Sequence, residues 1–285
     1  MTLEGKTFVV TGGNTGIGRA TVEGLAARGA SRIVVLSRSR ERTQPVLDAI
    51  ARPGLEARFV PLELGDLASV QRAADALLEE DRAIDVLINN AGIAGLRGLT
   101  KDGFELTFGT NHLGPFLLTE KLLPAIRKAP QGRIVNVSSV GHYRARAHGS
   151  QGIDWDALRA PTAHITALPE YHVSKLCNVL HAKHLARRLS DTTVTTYAVH
   201  PGAVASDIWQ RRTRVLGWIL EPFLISNEKG ARTQLRCATD PALARESGLY
   251  YDREKPKEPS KLAQDARLQD ALHARSMEWV APFLA

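Results

Sequence analysis

Short apolar runs rich in β-branched residues alternate with helix-forming segments along nearly the whole chain, and this alternation restricts the possible folds most. The runs cover 6–10, 32–36, 57–62, 84–88, 133–138 and 193–199. They lack the polar–apolar alternation of half-exposed strands, so each should be buried on both faces. Helical patterns follow at 19–28, 40–51, 67–80, 102–127 (broken around Gly114-Pro115), 171–189 and 230–239. This order predicts an α/β fold, a doubly wound parallel sheet of about seven strands with helices on both faces.

The chain length and the even pattern favour one domain over residues 1–285, because no linker, repeat or low-complexity segment interrupts it. Two stretches depart from the alternation. Residues 141–169 are too many for a plain connection, and residues 207–227 are rich in Trp, Ile, Leu and Val. Residues 251–285 are expected to form a C-terminal tail.

Composition narrows the classes of protein that remain. The net charge is +7, but the basic residues are scattered without interleaved aromatics, which argues against nucleic-acid binding. The two cysteines, Cys177 and Cys237, form no Cys-x-x-Cys motif, so neither a disulfide framework nor a metal site is expected. The first strand starts near Thr7 and no apolar run reaches ~18 residues, so we expect a cytoplasmic protein without a membrane span.

A glycine-rich turn joins the first predicted strand to the first helix. Glycines let a backbone turn tightly and approach phosphates, and a helix N-terminus offers free N–H groups and a positive dipole end. The spacing differs from Gly-x-Gly-x-x-Gly, and a turn without a ligand is the alternative. We predict that this turn binds a dinucleotide pyrophosphate through Gly12, Asn14, Thr15, Gly16, Ile17 and Gly18.

The end of the second predicted strand indicates which dinucleotide binds. An acidic residue there would bind the ribose hydroxyls and repel a 2′-phosphate. The chain instead has Ser37 and Arg38, a hydroxyl and a guanidinium that suit a phosphate. We therefore predict NADPH/NADP+ rather than NADH, with a merely solvated arginine as the alternative.

Tyr171 and Lys175 stand four residues apart in a helical segment, about one turn apart on the same face. An ammonium near a phenol lowers the pKa of the phenol, which suits proton donation and return. By itself the pair is also typical of a solvated helix face. Ligands bind at the carboxyl ends of the strands in doubly wound sheets. Polar or small residues follow the other predicted strands at these ends: Asn89, Ala91, Gly92, Ser138, Ser139, Pro201, Gly202 and Val204. Asn111 is a polar residue within an apolar helical segment.

Taken in order, these elements resemble the short-chain dehydrogenase/reductase family from Lys6 to about Tyr250. The resemblance implies that Tyr171 is the acid/base, and that Lys175 binds the nicotinamide ribose while lowering the pKa of Tyr171. It also implies that Ser139 holds the substrate oxygen and that Asn111 orders a proton relay through water. Asp66 and the adjacent Leu67 would lie by the adenine, and Asn89 by the adenosine ribose.

Within that family the chain is similar to the retinol dehydrogenase-like branch. The similarity lies in 133–139, 171–178, 199–202, 268–280 and the 32 residues that separate Ser139 from Tyr171. The branch implies hydride transfer between NADP(H) and a lipophilic ketone, aldehyde, alcohol or retinoid-like molecule, and the family implies a homo-oligomer. Vertebrate members of the branch commonly carry an N-terminal membrane anchor, which we do not expect in this chain.

We expect 207–227 to fold over the substrate as a lid and 141–169 to form another wall. A contact of 207–227 with a membrane surface or a second subunit is the alternative. A non-catalytic NADP(H)-binding regulatory protein is the second hypothesis, although the Tyr-Lys pair favours an enzyme. Sugar-nucleotide epimerisation is disfavoured, because only about 80 residues follow Pro201, too few for a substrate domain.

Overall fold

A computed structural model describes residues 3–202 and 225–284. All strands in these ranges belong to one sheet with the order β3-β2-β1-β4-β5-β6-β7-β8, in which only the β7–β8 pair is antiparallel. The strands are β1 (Thr7–Thr11), β2 (Arg32–Ser37), β3 (Glu56–Pro61), β4 (Val86–Asn89), β5 (Arg133–Val137), β6 (Thr195–His200), β7 (Leu249–Asp252) and β8 (Lys255–Lys257). The predicted fold class is confirmed, with eight strands rather than about seven.

Helices cover both faces of the sheet. The helices in the described ranges are α1 (Gly16–Ala27), α2 (Arg40–Ile50), α3 (Leu67–Leu78), α4 (Leu106–Phe108), α5 (Gly114–Arg127), α6 (Leu168–Arg188), α7 (Asn227–Thr239), α8 (Lys261–Gln264) and α9 (Ala266–Val280). Helices α1, α2 and α7 bury their apolar side chains on one face of the sheet. On the other face α3, α5, α6 and α9 form the second core. Because both faces are covered, β1, β2, β4, β5 and β6 are buried along their whole length.

The helix that carries Asn111 differs from its prediction. It begins at Leu106 rather than Asp102, and it is not broken at Gly114-Pro115. A π-helical turn, Gly109–Leu113, precedes α5 and keeps the chain helical. Gly114 permits close packing, since a Cβ there would lie 2.4 Å from the Leu64 carbonyl oxygen. Gly114 therefore permits a close contact between the helix and the loop at Leu64. The π-helical turn just before Gly114 contains Asn111.

The C-terminal residues are part of the packed structure. Helix α9 lies along α6 and buries Leu268, Leu272 and Val280 in the second core. A subunit contact through α6 would therefore be restricted to the surface that α9 leaves uncovered. In the described part of the chain, none of the helices is both long and apolar enough to cross a membrane.

The order of the strands determines where a ligand can bind. Strands β1 and β4 are neighbours, although the chain passes through β2 and β3 between them, and their carboxyl ends lie side by side. In parallel α/β sheets, the crevice at such a reversal is the usual ligand site. Most of the predicted site residues lie at or after the carboxyl ends of β1 to β6, whereas Asn111, Tyr171 and Lys175 lie in helices.

Candidate active site

The glycine-rich turn packs directly against the segment that follows β4. A Cβ on Gly12 would lie 3.0 Å from the Cβ of Ala91, and one on Gly18 would lie 2.1 Å from the Gly12 carbonyl oxygen. Gly12 also has a φ of +65°, a left-handed conformation that favours glycine. Glycine is thus required here for close backbone packing, as the sequence predicted.

The N-terminus of α1 is suited to an anion. Thr15 precedes the helix but its side chain does not cap it, and the first turn contains no acidic residue. The N–H groups of this turn and the positive end of the helix dipole are therefore available to a phosphate group. Asn14, Gly16 and Ile17 are partly exposed along the same turn.

Ser37 and Arg38 occupy different positions at the end of β2. Ser37 is buried, and its Oγ lies 2.7 Å from Thr43 Oγ1, so its hydroxyl already has a partner inside the protein. The Arg38 side chain is 69% exposed and pairs with Glu63, with 3.6 Å between Arg38 Nη1 and Glu63 Oε2. Glu63 follows β3, the neighbour of β2, and sequence reasoning missed it. Of Ser37 and Arg38, only Arg38 is thus accessible to a ligand. Its acidic neighbour Glu63 is close because β3 lies next to β2 in the sheet.

Asp66 and Leu67 are held by contacts with the loop before α4. The Asp66 carboxylate accepts from the Ser69 N–H at 3.3 Å and pairs with Lys101 at 2.8 Å. The hydrogen bond from Lys101 lowers the pKa of Asp66. The Leu67 N–H donates to Asp102 Oδ2 at 2.9 Å, and its side chain is buried. Their predicted adenine contacts stay predictions.

The two asparagines after β4 have separate structural tasks. Asn89 points into the core, where its amide donates to Thr119 Oγ1 at 3.0 Å and to Asn136 Oδ1 at 2.9 Å. A contact with a ribose would therefore use the Asn89 backbone. Asn90, which the sequence did not single out, donates to the Thr11 carbonyl at 2.9 Å and fixes the glycine-rich turn.

Asn111 connects α6 to the segment after β4. Its Oδ1 accepts from the Ile93 N–H at 2.7 Å, and its Nδ2 donates to the Ile93 carbonyl at 2.9 Å and to Ser174 Oγ at 3.1 Å. Both amide hydrogens are thus used within the protein, and only a lone pair on Oδ1 remains for a water molecule. A Cβ on Gly92 would lie 3.1 Å from Oδ1, so this backbone passes very close to Asn111.

Ser139, Tyr171 and Lys175 converge beyond the end of β5. The Ser139 and Tyr171 side chains are hydrogen-bonded, and both residues are partly exposed. Lys175 is buried, and its Nζ donates to the Val137 carbonyl at 3.0 Å and lies 5.7 Å from the centre of the Tyr171 ring. Ser138 turns inward, where its hydroxyl donates to the Lys175 carbonyl at 2.7 Å. The structure therefore brings Ser139, Tyr171, Lys175 and, through Gly92, Asn111 into one site.

The electrostatics of this site differ from the expectation. Burial raises the pKa of Tyr171, and the hydrogen bond from Ser139 offsets only part of this. Burial also lowers the pKa of Lys175 to about 8. The predicted depression of the Tyr171 pKa by Lys175 is thus wrong for the protein alone, because burial of the phenol disfavours its charged form.

The remaining predicted residues lie partly outside the described ranges. Pro201 and Gly202 are buried after β6, and Gly202 lies against Ile225. Val204 and residues 207–224 of the predicted lid lie outside the described residues. Within 141–169, Ile153, Trp155 and Leu158 are buried in the core, whereas Tyr143 and Ile165 are exposed. Part of this segment thus packs inward instead of forming a wall.

This fold and this site define a class of enzyme. Residues 6–151 match the short chain dehydrogenase family, and the chain belongs to it. It is 41% identical over 275 residues to a protein of Bos taurus named dehydrogenase/reductase SDR family member 13, covering 93% of this chain and 70% of the relative. It is 39% identical over 254 residues to retinol dehydrogenase 11 of Homo sapiens, covering 87% of this chain and 77% of the relative.

A solved structure agrees with this assignment. A blue fluorescent protein from a metagenomic library, in complex with NADPH, superimposes with a TM-score of 0.70 at 27% identity. The match covers 88% of this chain and 97% of that structure. The protein is an oxidoreductase of the short-chain dehydrogenase/reductase family, related to retinol dehydrogenases and acting on CH–OH groups or the corresponding carbonyls.

Proposed function

We propose that the protein transfers hydride between NADP(H) and a lipophilic carbonyl or alcohol. The observation that carries this proposal is the hydrogen-bonded pair of Ser139 and Tyr171, with buried Lys175 one helical turn away. A phenol next to a second hydroxyl can donate a proton to a substrate oxygen that both groups contact. This pair lies at the same edge of the sheet as the glycine-rich turn.

The residues present fit a dinucleotide. The uncapped N-terminus of α1 offers N–H groups for a pyrophosphate, and a Cβ at Gly12 or Gly18 would fill the close-packed backbone there. The adenosine would be held by Asp66, Leu67 and the Asn89 backbone. The nicotinamide end would be held by Lys175 and by the backbone of Pro201 and Gly202 after β6. Val204 lies outside the described residues, and its cofactor contact stays a prediction from the sequence. The bound cofactor would supply or accept the hydride.

Arg38 supports a preference for NADPH. Its guanidinium is largely exposed, and its ion pair with Glu63 spans 3.6 Å, a pair that contributes little at a protein surface. A 2′-phosphate offers a stronger, bidentate partner. Ser37 contributes less than the sequence suggested, because its hydroxyl is bonded to Thr43.

Each catalytic side chain has a separate task. In the reductive direction Tyr171 gives its proton to the carbonyl oxygen, and Ser139 stabilises the developing alkoxide with a hydrogen bond. Lys175 places a positive charge near the Tyr171 ring and offers N–H donors to the ribose. Asn111 holds the Ile93 segment and α6 together, and its Oδ1 can accept from one water molecule that returns a proton to the site.

A lipophilic substrate is supported by the surroundings of the site and by the relatives. Val140 and Tyr143, just beyond Ser139, expose apolar surface, as do Leu96 in the segment after β4 and Ile165 in the segment before α6. Retinol, named in several relatives, is a lipophilic alcohol. The apolar 207–227 segment is proposed as the lid, with membrane or subunit contact as its alternative. Both cysteines are free and buried, in keeping with the proposed cytoplasmic location.

The experiment is a screen of decanal, benzaldehyde, all-trans-retinal and D-glyceraldehyde with NADPH and with NADH, and of the matching alcohols with the oxidised cofactors. We expect turnover of the apolar aldehydes with NADPH, and much slower turnover of glyceraldehyde. Cofactor binding without turnover of any compound would instead support the non-catalytic regulatory protein.

A further inference from the structure

His142 lies three residues after Ser139 and is completely buried. Its Nδ1 lies 2.7 Å from the Ser139 carbonyl oxygen, and the Ser260 N–H donates to its Nε2 across 3.1 Å. A backbone N–H can only donate, so Nε2 must be the acceptor and Nδ1 must carry the proton. A single neutral tautomer thus forms both hydrogen bonds.

The residue next to His142 makes a second contact with the same distant segment. The Tyr143 hydroxyl donates to the Glu258 carbonyl, and Lys257 Nζ lies 5.5 Å from the centre of the Tyr143 ring. The Tyr250 ring stands edge-on to the imidazole of His142, with 4.6 Å between ring centres. The turn after Ser139 is therefore attached to residues more than a hundred positions further along the chain.

This attachment bears on the catalytic hydroxyl. Ser139 Oγ accepts from the Gly141 N–H at 3.1 Å, which leaves its own hydrogen for Tyr171 or for a substrate oxygen. The turn is tightly packed, because a Cβ on Gly141 would lie 3.0 Å from the His172 ring and 3.4 Å from the Tyr171 ring. A shift of the Ser139 carbonyl would therefore move Oγ relative to Tyr171.

We propose that His142 is a positioning residue: its neutral imidazole joins the Ser139 carbonyl to the Ser260 N–H and so aligns the Ser139 hydroxyl with Tyr171. It acts through Ser139 and not on the reacting atoms. The C-terminal segment Glu258–Ser260 thereby becomes part of the active-site framework. This inference rests on the proposed function.

The charges around His142 agree with a neutral ring. Lys257 and Asp252 face it from β8 and β7, and His200 faces it from the end of β6. Burial is the main cause that lowers the pKa of His142, and Lys257 lowers it further, against the opposing effects of the hydrogen bond with the Ser139 carbonyl and of Asp252. The acceptor on Nε2 is therefore present at neutral pH.

The first test compares His142→Asn, which can keep a donor at the position of Nδ1, with His142→Phe, which keeps only the ring. With decanal, or the aldehyde of the panel that turns over fastest, we expect His142→Phe to lower kcat by about 10- to 100-fold, because small misalignments carry that cost. The KM for NADPH should stay unchanged, and His142→Asn, which lacks the acceptor for the Ser260 N–H, should recover only part of kcat. Equal kcat values for the Phe variant and the wild type would overturn the inference.

A double-mutant cycle separates positioning from general destabilisation. If His142 acts through Ser139, His142→Phe should have no further effect on kcat in a Ser139→Ala background. The same fold loss in both backgrounds would show that His142 acts elsewhere and would refute the inference. A wild-type protein that turns over none of the panel compounds would count against the proposed function itself.

A second pair of variants avoids the buried imidazole if His142→Phe does not fold. Ser260 has a φ of −57°, which proline can adopt, and its side chain caps α8. Ser260→Ala and Ser260→Pro both lose this cap, but only the proline variant loses the N–H that bonds Nε2. We expect kcat to fall about tenfold in Ser260→Pro relative to Ser260→Ala. Equal kcat values in the two variants would overturn the inference.

Discussion

The carboxyl edge of the sheet has two halves that are built differently. Around β1 and β2 the candidate contacts are backbone groups of a glycine-rich turn and one exposed arginine, all within 30 residues of sequence. Around β4 and β5 they are side chains locked by hydrogen bonds between distant segments, such as Asn111 with Ile93 and Lys175 with Val137. The first half is suited to bind an anion, and the second to align groups for proton transfer. Substitutions should therefore affect cofactor affinity in the first half and turnover in the second.

The largest effect is expected from Tyr171→Phe, which removes the proposed proton donor and retains the ring. Turnover in the aldehyde assay should fall by about three orders of magnitude or more, since general acid catalysis contributes at this scale. NADPH affinity, measured by cofactor fluorescence, should stay close to that of the wild type.

Tyr197→Phe is the matched control, because it removes a buried hydroxyl on β6 that donates to the Leu243 carbonyl. It should lower the free energy of unfolding by about 1 kcal/mol and leave turnover intact. Undiminished turnover in Tyr171→Phe would contradict the division between the two halves.

The next effect concerns pH and Lys175. Its pKa is lowered to about 8 by burial, so the ammonium loses its proton as the pH rises through this value. Burial raises the pKa of Tyr171, so the phenol keeps its proton over the same range. The pH dependence of kcat/KM reports the pKa values of the free enzyme. We therefore expect kcat/KM for reduction to fall above about pH 8, by up to tenfold per pH unit.

Lys175→Arg tests the assignment of this alkaline limb. Arginine remains charged throughout the range, so the limb should disappear even if the rate is lower at every pH. The same limb in Lys175→Arg would show that another group titrates.

A smaller effect is expected from Arg38→Ala in the other half. Loss of charge-assisted hydrogen bonds to a 2′-phosphate should weaken NADPH binding by about 10- to 100-fold, with little change in NADH binding or in kcat. Titration with both cofactors measures this difference. Arg82→Ala, the same change at an arginine paired with Glu56 on β3, is the control and should alter neither affinity. Equal losses for NADPH and NADH would refute the phosphate role.

The smallest effect is expected from Glu63→Gln, which releases Arg38 from its ion pair. Because exposed pairs contribute about 1 kcal/mol or less, NADPH affinity should rise by no more than about fivefold. NADH affinity should not change. A decrease in NADPH affinity would mean that Glu63 orients Arg38 for the phosphate instead of competing with it.

Several features were readable from the sequence because they are local. The glycine-rich turn between β1 and α1, the four-residue spacing of Tyr171 and Lys175, and the buried strands all depend on residues close together in the chain. The six predicted strands correspond to β1–β6, with ends that shift by two residues or fewer. Backbone periodicity alone is enough for such predictions.

Other features depended on which segments meet. Neither the sequence of β4 nor that of β2 shows that Asn90, rather than Asn89, holds the glycine-rich turn, or that Glu63 stands beside Arg38. Strand register and side-chain direction decide these contacts, and both follow from packing over the whole sheet.

The sequence by itself determined the fold class and the family, and it predicted the residues proposed to carry out the reaction. The tertiary structure alone decided how those residues are held: Asn111 on the Ile93 backbone, Lys175 on the Val137 carbonyl and the turn after Ser139 on Ser260. It also decided the electrostatics, raising the pKa of Tyr171 where residue types and spacing predicted a lower one. The reason is physical: burial is a property of the assembled protein, and its effect on a charge exceeds that of a neighbour along the helix.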